Sequence, residues 1–453
     1  MPPENTGESD LSSHTENKLP VGEAAREQRI GTGREPGALR RIFKTLGPGL
    51  VTGASDDDPS GIGTYAAAGA SYGYATLWIA PVTFPLMAAI QYICAKIGMV
   101  YGLGLAGVIR EHYPRLLYPV VAALVIANTL NAAADIAAIA EGIGLLIPVR
   151  VGYLIFPIGL SILAFQIWGS YRLIARTFKW LTLSLFAYIG AAFLAHPDWG
   201  AVCSGTFVPT FHLDTAFLMI VVAMLGTTIS PYLFFWQADQ EVEEEIAQGR
   251  TLPDSRKGAT DRELKDAGWD VGVGMFLSNV VMFFIILSTA ATLHRAGHTE
   301  VGTAAEAAEA LRPLAGDAAY LLMALGLIGT GVLAVPILTG SAAYAAAEAA
   351  GWYASLDARP RQAKKFYLAM TVCTLVALAI DFAGINPMKA LVWTAIVNGF
   401  LSPPLLVLIM LIANNRAVMG ERVNGRALNI LGWATTVIMA AAAIALVWSW
   451  CAG

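Results

Sequence analysis

The chain has 453 residues, of which 56% are hydrophobic and only 14% are charged, and its mean hydropathy is +0.58. Soluble domains carry about 25% charged residues, so this composition indicates an integral membrane protein. The net charge of −4 gives no support to a nucleic-acid partner. The four cysteines have no short spacing, so neither a zinc site nor a disulfide framework is indicated.

The first 44 residues differ in composition from the rest of the chain. They are polar and poor in apolar residues, which excludes a secretory signal peptide. We expect residues 1–44 to form a disordered cytoplasmic tail and residues 45–453 to form one membrane domain.

A helix needs about 20 mostly apolar residues to cross a bilayer. With the tail inside, 25 of the 29 basic residues fall in inner segments. The four in outer loops are Arg150, Arg295, Arg312 and Lys389. This asymmetry predicts a multi-pass protein of the cell membrane with a cytoplasmic N-terminus and an extracytoplasmic C-terminus. The eleven predicted spans lie near 46–72, 75–103, 116–147, 151–169, 173–195, 214–239, 269–293, 317–350, 363–384, 388–413 and 427–450.

Two of these spans are interrupted by a proline in a polar context. The first break reads Asp56-Asp57-Asp58-Pro59, and the second reads Ile229-Ser230-Pro231. Paired breaks in two halves of a membrane protein point to a transporter's binding site. Lipid cannot satisfy the freed backbone carbonyls, so they must line a cavity or bind an ion. Three adjacent aspartates favour a cation.

Acidic residues also follow the second break. We expect the run Glu241-Val242-Glu243-Glu244-Glu245 to form a solvated face, because charge runs commonly reflect solubility.

Several segments, in order, resemble the Nramp family of divalent-metal transporters. The matching segments are 47–51 with Asp58-Pro59, 91–100 with 105–106, 134–137, 398–403 and 415–433. The resemblance implies an all-α integral membrane protein with the LeuT-type inverted-repeat fold and eleven transmembrane helices. Helices 1 and 6 would be broken, and helices 1–5 and 6–10 would form the two repeats, followed by helix 11. Residues 45–453 would then be the membrane transport domain.

The resemblance also implies a metal site at the two breaks. In the family, an Asp and an Asn of helix 1 bind the metal together with a Met side chain and a carbonyl of helix 6. The Asp position is Asp58, the Asn position is Gly61, the Met position is Ser230 and the carbonyl position is Thr227. We expect Asp58 to be the primary ligand. The full expected metal site comprises Asp58, Asp57, Thr227, Ser230, Thr228 and Gly61.

The replacements change the expected chemistry. A thioether favours transition metals, and its replacement by the hydroxyl of Ser230 leaves oxygen ligands. The change from Asn to Gly61 removes one ligand and opens space. Mg²⁺ binds through few carboxylates and keeps several waters, so it suits such a site. The pattern resembles the Nramp-related magnesium transporters.

Other roles remain open for several of these residues. Asp56 and Asp57 could cap a half-helix or face a water-filled vestibule. The hydroxyls of Ser230 and Thr228 could satisfy backbone carbonyls freed by the proline. Asp135 could be a buried polar contact between helices.

Proton-coupled members of the family rely on ionisable groups of helices 3 and 6. Here Ala138 stands at a Glu position and Tyr232 at a His position. We expect every histidine to lie in a tail, a loop or a helix end; they are His14, His112, His196, His212, His294 and His298.

The sequence therefore predicts a secondary transporter that moves Mg²⁺, and also Mn²⁺, by alternating access without proton coupling. The alternative is a proton-coupled Mn²⁺/Fe²⁺ transporter of the ordinary Nramp type. No hydrolase motif is present, so we expect no enzymatic activity. Apart from the transported ion and the lipid bilayer, we expect no cofactor and no obligate protein partner.

Overall fold

The computed structural model describes residues 47–168, 183–356 and 358–452. Within these ranges all regular secondary structure is helical. The predicted tail, 1–44, lies outside the described residues, and the fifth predicted span, 173–195, lies partly outside them.

Sixteen of the described helices are six residues or longer and are numbered here in chain order. They are α1 (Pro48–Asp56), α2 (Pro59–Tyr72), α3 (Ile79–Tyr101), α4 (Leu105–His112), α5 (Pro114–Gly144), α6 (Val151–Trp168), α7 (Ala187–Leu194), α8 (Trp199–Phe207), α9 (Thr215–Thr228), α10 (Pro231–Ala247), α11 (Asp261–Thr289), α12 (Ala304–Glu309), α13 (Ala319–Ala350), α14 (Lys364–Asp381), α15 (Pro387–Ala413) and α16 (Arg426–Ala452).

Eight helical segments of the described chain are long and apolar enough to cross a membrane. They correspond to eight of the eleven predicted spans. Of the other three, the first is divided between α1 and α2, so neither piece is long enough alone. The ninth corresponds to α14, which has charged residues at both ends. The fifth is the span that lies partly outside the described residues.

Proline begins several of these helices, including both that follow a break. A proline in the first turn costs nothing, because its missing N–H would have no partner there, and its fixed φ suits a helix. The helices that begin in this way are α1, α2, α5, α10 and α15.

Both predicted breaks are present and have the same form. At the first break, Asp57 leaves the helical conformation and Asp58 is extended (ψ 169°) immediately before Pro59. At the second break, Ile229 leaves the helix and Ser230 is extended (ψ 130°) before Pro231. A residue before proline is driven away from helical ψ angles by the proline ring. The two prolines therefore set both breaks through local sterics.

Helix α11 holds α1 at three places spaced four residues apart. Asp270 accepts hydrogen bonds from the backbone N–H groups of Gly47 (2.9 Å) and Gly49 (2.6 Å), at the start of α1. Ser278 donates to Asp56 at its end (2.6 Å). Gly274 lies between them, where a Cβ atom would be 2.3 Å from the carbonyl oxygen of Gly49. The helices therefore touch backbone to backbone.

The prediction for the acidic run after the second break is wrong for two of its glutamates. Helix α10 continues to Ala247 without interruption, and Glu241 and Glu245 are only 6% and 4% exposed. Glu241 accepts a hydrogen bond from Gln237 (2.9 Å), and Glu245 pairs with Arg250 (3.2 Å). Local composition could not reveal this burial, because the neighbouring elements that cover this end of α10 are decided by the tertiary fold.

The contact between α1 and α11 predicts opposite outcomes for two glycines of the same helix. Gly274→Ala should lower the free energy of unfolding by about 1–3 kcal/mol, because its Cβ would overlap the α1 backbone. Gly272→Ala is the matched control, since a Cβ there meets nothing within 4 Å. It should stabilise by about 0.5–1 kcal/mol through helix propensity. Thermal unfolding in detergent, followed by tryptophan fluorescence, measures both. Equal shifts would contradict the close contact.

Candidate functional site

The two breaks lie against each other. Ser60 Oγ, in the first turn of α2, is 3.1 Å from Thr227 Oγ1, near the end of α9. Gly61 lies beside the same hydroxyl, and a Cβ atom at Gly61 would be 3.5 Å from Thr227 Oγ1. One helical turn further along α2, the hydroxyl of Tyr65 is 3.1 Å from Thr228 Oγ1. The structure therefore brings together the expected site residues of both halves of the chain.

Asp58 joins three helices through its carboxylate. Its Oδ1 accepts a hydrogen bond from the backbone N–H of Gly61 (2.7 Å), so Asp58 is the N-cap of α2. Its Oδ2 accepts from the hydroxyl of Tyr232 in α10 (3.2 Å) and from the side-chain amide of Asn131 in α5 (3.3 Å). The side chain is 1% exposed. The aspartate predicted to be the primary ligand therefore lies at the junction of both breaks with α5.

Asp56 and Asp57 have a different partner. Ser278 Oγ in α11 lies 2.6 Å from Asp56 Oδ2 and 3.2 Å from Asp57 Oδ1. A serine hydroxyl has one proton and can donate it to only one of the two carboxylates at a time. The three adjacent aspartates thus divide into a pair that faces α11 and Asp58, which faces α5 and α10.

Four backbone carbonyls near the breaks have a side-chain hydroxyl within hydrogen-bond distance. Ser230 Oγ lies 2.9 Å from the carbonyl oxygen of Gly226 and 2.5 Å from that of Thr227. Ser402 donates to the carbonyl of Ile229 (2.8 Å). At the first break, the hydroxyl of Tyr232 lies 3.0 Å from the carbonyl oxygen of Ser55, and its single proton can go to this carbonyl or to Asp58 Oδ2. Hydroxyl side chains therefore stabilise the broken helices by reaching the backbone carbonyls near both breaks.

Thr228 has the same kind of role as Ser230. Its hydroxyl lies 2.7 Å from the carbonyl of Met224, one turn back in α9, and 3.8 Å from the sulfur of Met282 in α11. The lone pairs of the Ser230 hydroxyl stay available to a ligand, because a donated proton uses only its O–H.

Two buried oxygens around Asp58 lack a hydrogen-bond donor within the described part of the chain. They are Asn131 Oδ1 and Asp56 Oδ1, and the nearby carboxylate of Asp135 has the backbone N–H of Ser60 as its neighbouring donor. Asn131, Asp56 and Asp135 are each 0% exposed. Asp135 is one turn after Asn131 in α5 and lies within electrostatic range of Asp58 and Tyr232. Buried polar atoms in native structures are nearly always satisfied, so these acceptors indicate a place for a cation, a proton or ordered water.

The described residues contain no group of three or more His, Cys, Asp or Glu side chains arranged to hold a metal ion. The first break has three carboxyl groups in sequence, but of these only Asp58 is hydrogen-bonded to a residue beside the second break, Tyr232, whereas Asp56 and Asp57 contact Ser278 of α11. A cation at this junction would therefore meet one carboxylate surrounded by hydroxyl and amide oxygens.

Sequence reasoning missed three residues of this junction. Asn131 and Ser60 were not considered, and Tyr232 was treated only as the replacement for a histidine. A signal existed for Asn131, because it stands four residues before Asp135 in an alanine-rich span and thus on the same helix face. The contact of Ser278 with Asp56 and Asp57 depends on the packing of α11 and has no comparable signal.

The chain is similar to known proteins along nearly its whole length. The family model described as "Natural resistance-associated macrophage protein-like" (Nramp) matches residues 49–449. The Divalent metal cation transporter MntH of Deinococcus radiodurans is 26% identical over 420 residues, covering 91% of each chain. MntH of Klebsiella pneumoniae is 25% identical over 411 residues, covering 89% of this chain and 93% of the relative.

Solved structures show the same architecture. A mutant of the Eremococcus coleocola manganese transporter has a TM-score of 0.69 at 18% identity, covering 93% of this chain and 88% of its own. MhsT in complex with L-phenylalanine has a TM-score of 0.54 at 12% identity, covering 92% of this chain and 99% of its own. The LeuT-type fold class expected from the sequence is confirmed. Since the family model spans both broken helices and nearly all of the described chain, the protein belongs to the Nramp family.

Proposed function

We propose that the protein is a secondary transporter that moves Mg²⁺, and also Mn²⁺, across the cell membrane by alternating access without proton coupling. Asp58 is the primary ligand in this proposal, with Thr227, Ser230 and Gly61 around the ion. Asp57 and Thr228, which contact Ser278 and Met282 of α11, lie behind them. The observation that carries the proposal is the set of buried, donor-free oxygens around Asp58 at the meeting of the two breaks. Carboxylate, amide and hydroxyl oxygens are the ligands that hard divalent cations take.

The relatives support transport of a divalent metal. Two of them are named divalent metal cation transporters, and the architecture at 18% identity is that of a manganese transporter. Eight apolar segments long enough to cross a membrane support a multi-pass location. The cytoplasmic N-terminus remains a prediction from the distribution of basic residues.

The choice of a hard ion rests on the donors that surround Asp58. Ser60, Thr227, Asn131 and Tyr232 contribute only oxygen and an amide nitrogen to these contacts. Met282 Sδ of α11 accepts a hydrogen bond from the hydroxyl of Thr228 (3.8 Å), and none of the contacts of Asp58 described above involves sulfur. A site without a thioether loses the preference for softer transition metals.

Gly61 lets the two breaks pack closely and adds no ligand of its own. A Cβ atom there would approach the Asp56 carbonyl and Tyr65 at 3.3 Å and Thr227 at 3.5 Å. A side chain at this position would therefore crowd both breaks. Mg²⁺ sheds water reluctantly and commonly keeps water where a protein ligand is missing, so the loss of the family's Asn ligand suits this ion.

The positions of the histidines support uncoupled transport. The five within the described chain lie at the ends of helical segments or in loops; they are His112, His196, His212, His294 and His298. A divalent ion gains about 4–5 kcal/mol per 100 mV on moving into a negative interior, so the membrane potential alone can drive uptake.

One observation favours the alternative, a proton-coupled Mn²⁺/Fe²⁺ transporter. The carboxylate of Asp135 is fully buried, interacts electrostatically with Asp58 and has the backbone N–H of Ser60 as a neighbouring donor. A carboxyl group in that setting is suited to carry a proton. Measuring internal pH during transport separates the two functions.

Asp58→Asn should abolish uptake and weaken Mn²⁺ binding by more than about tenfold. Mutating a residue that only hydrogen-bonds to a metal ligand already lowers metal affinity about 10–100-fold, so loss of the ligand itself should have at least that effect. The amide keeps the shape of the side chain and can still cap α2. Binding is measured by calorimetry on the purified protein. Asp317→Asn, at an exposed position of the 3₁₀ turn Gly316–Ala318, is the matched control and should change neither quantity. Full uptake by the Asp58 variant would contradict the proposed site.

Ser230→Met should shift the preference from Mg²⁺ towards Mn²⁺ and Cd²⁺, because it restores a thioether at the second break. The substitution also removes the donor to the carbonyls of Gly226 and Thr227. Ser230→Ala is therefore the control, since it removes the same donor without adding sulfur. Competition between ions for uptake gives the readout. An equal ion preference in the Met and Ala variants would argue against contact between residue 230 and the ion.

Uptake into proteoliposomes with an internal pH dye tests the coupling. We expect Mg²⁺ and Mn²⁺ to enter without acidification, with a rate that increases as the interior is made more negative. Asp135→Asn should leave uptake uncoupled. Mn²⁺ uptake with acidification that Asp135→Asn abolishes, and without Mg²⁺ flux, would establish the proton-coupled alternative.

A further inference from the structure

We propose that a groove between α3 and α11 binds an anionic phospholipid at a defined position. The α3–α11 groove is lined by Phe84 and Tyr92 of α3 and by Lys265, Trp269, Gly272 and Phe276 of α11, among others. Its volume is about 630 Å³. The groove is separate from the junction at Asp58, and the proposal does not rest on the proposed function.

The greater part of the groove is apolar and faces the membrane. Trp269 and Phe276 are 68% and 52% exposed, and the rings of Phe84 and Phe276 meet edge to face at 5.6 Å. A Cβ atom at Gly272 would meet nothing within 4 Å, so the glycine leaves the groove open. The segment that carries these α11 residues is apolar enough to cross the membrane, so the surrounding medium is lipid acyl chain.

A polar cavity of about 360 Å³ continues from one end of this groove. The two share Tyr92, Leu264 and Lys265 in their walls. The polar cavity adds the cations Lys96 and Arg422 and the anions Asp261 and Glu421. An apolar channel that opens into a cationic and hydrogen-bonding end has the shape of a phospholipid site, with an acyl chain in one part and a headgroup in the other.

The charges of the polar cavity favour an anion. Arg422 is bound to Asp261, so those two charges offset each other. Lys96 donates to the neutral side-chain oxygen of Asn424 (2.8 Å), although it is only 5% exposed. Within the described residues, neither Lys96 nor Lys265 has a carboxylate within 4.0 Å. The ammonium groups of Lys96 and Lys265 are then balanced only by Glu421 among the residues that line the cavity. The cavity therefore keeps one positive charge, which can pair with a lipid phosphate.

The occupant to which these features point is a phospholipid with a net negative headgroup. Basic pockets between transmembrane helices on the cytoplasmic side bind such headgroups. The basic-residue distribution predicts the cytoplasmic side for the loops that carry Lys265 and Arg422. A zwitterionic headgroup would place its own cation near Lys96 and Lys265, so it should bind less well.

The test measures which lipids stay bound to the protein. Protein from nanodiscs with equal amounts of phosphatidylglycerol and phosphatidylethanolamine is analysed by native mass spectrometry. We expect the wild type to retain phosphatidylglycerol in several-fold excess, and Lys265→Gln to lose most of that excess. Lys364→Gln removes an exposed lysine at the start of α14, on the same predicted side, and should retain the excess.

A second variant tests the apolar part of the site. Gly272→Phe places a ring in the groove from a position where a Cβ atom meets nothing within 4 Å. Retention of both lipids should fall while the unfolding temperature stays near that of the wild type. Equal retention of the two lipids by the wild type would overturn the proposal. An unchanged excess in both Lys265→Gln and Gly272→Phe would do the same, since the lipid would then bind elsewhere.

Discussion

The structure depends on how the protein satisfies backbone groups that two prolines release inside an apolar medium. A break in a transmembrane helix leaves carbonyls that lipid cannot hydrogen-bond, and each unpaired group costs free energy. Here Ser230, Ser402 and Tyr232 supply hydroxyl donors to these carbonyls, partly across helices. The breaks can therefore persist only where α9, α10, α15 and α1 are already packed together. That requirement draws the two halves of the chain to a common point, and Asp58 lies at this point.

Helix α11 supplies the second constraint on the same region. Its residues Asp270, Gly274 and Ser278 recur every four positions and therefore share one face. Asp270 accepts hydrogen bonds from N–H groups at the start of α1, and Gly274 allows the two backbones to touch. Ser278 donates a hydrogen bond to Asp56 at the end of α1. Helix α1 is only nine residues long, and α10 also holds it, through the Thr52–Gln237 and Ser55–Tyr232 hydrogen bonds. Its placement relative to Asp58 thus depends on α11 together with α10.

These contacts also explain why three adjacent aspartates need not act alike. Asp56 ends α1 and meets Ser278, whereas Asp58 begins α2 and caps it through the N–H of Gly61. The break at Asp57 changes the chain direction between them, so neighbouring side chains reach different helices. The division leaves one carboxylate for the junction of the two halves, together with neutral oxygens from α5 and α10. This is the donor set on which the proposed preference for a hard cation rests.

The sequence by itself determined the properties that arise locally. Hydropathy located the apolar spans, and the prolines at 59 and 231 determined where both broken helices restart, because their sterics act on the residue just before them. Family motifs identified Asp58 and the altered positions Gly61 and Ser230. Only the tertiary structure decided which groups meet. Asn131 and Tyr232 reach Asp58 from other helices, and Ser278 reaches Asp56 and Asp57 in the same way. The burial of Glu241 likewise depends on the helices around it. Such contacts depend on helix packing across long stretches of chain, and no periodicity within one helix encodes its neighbour.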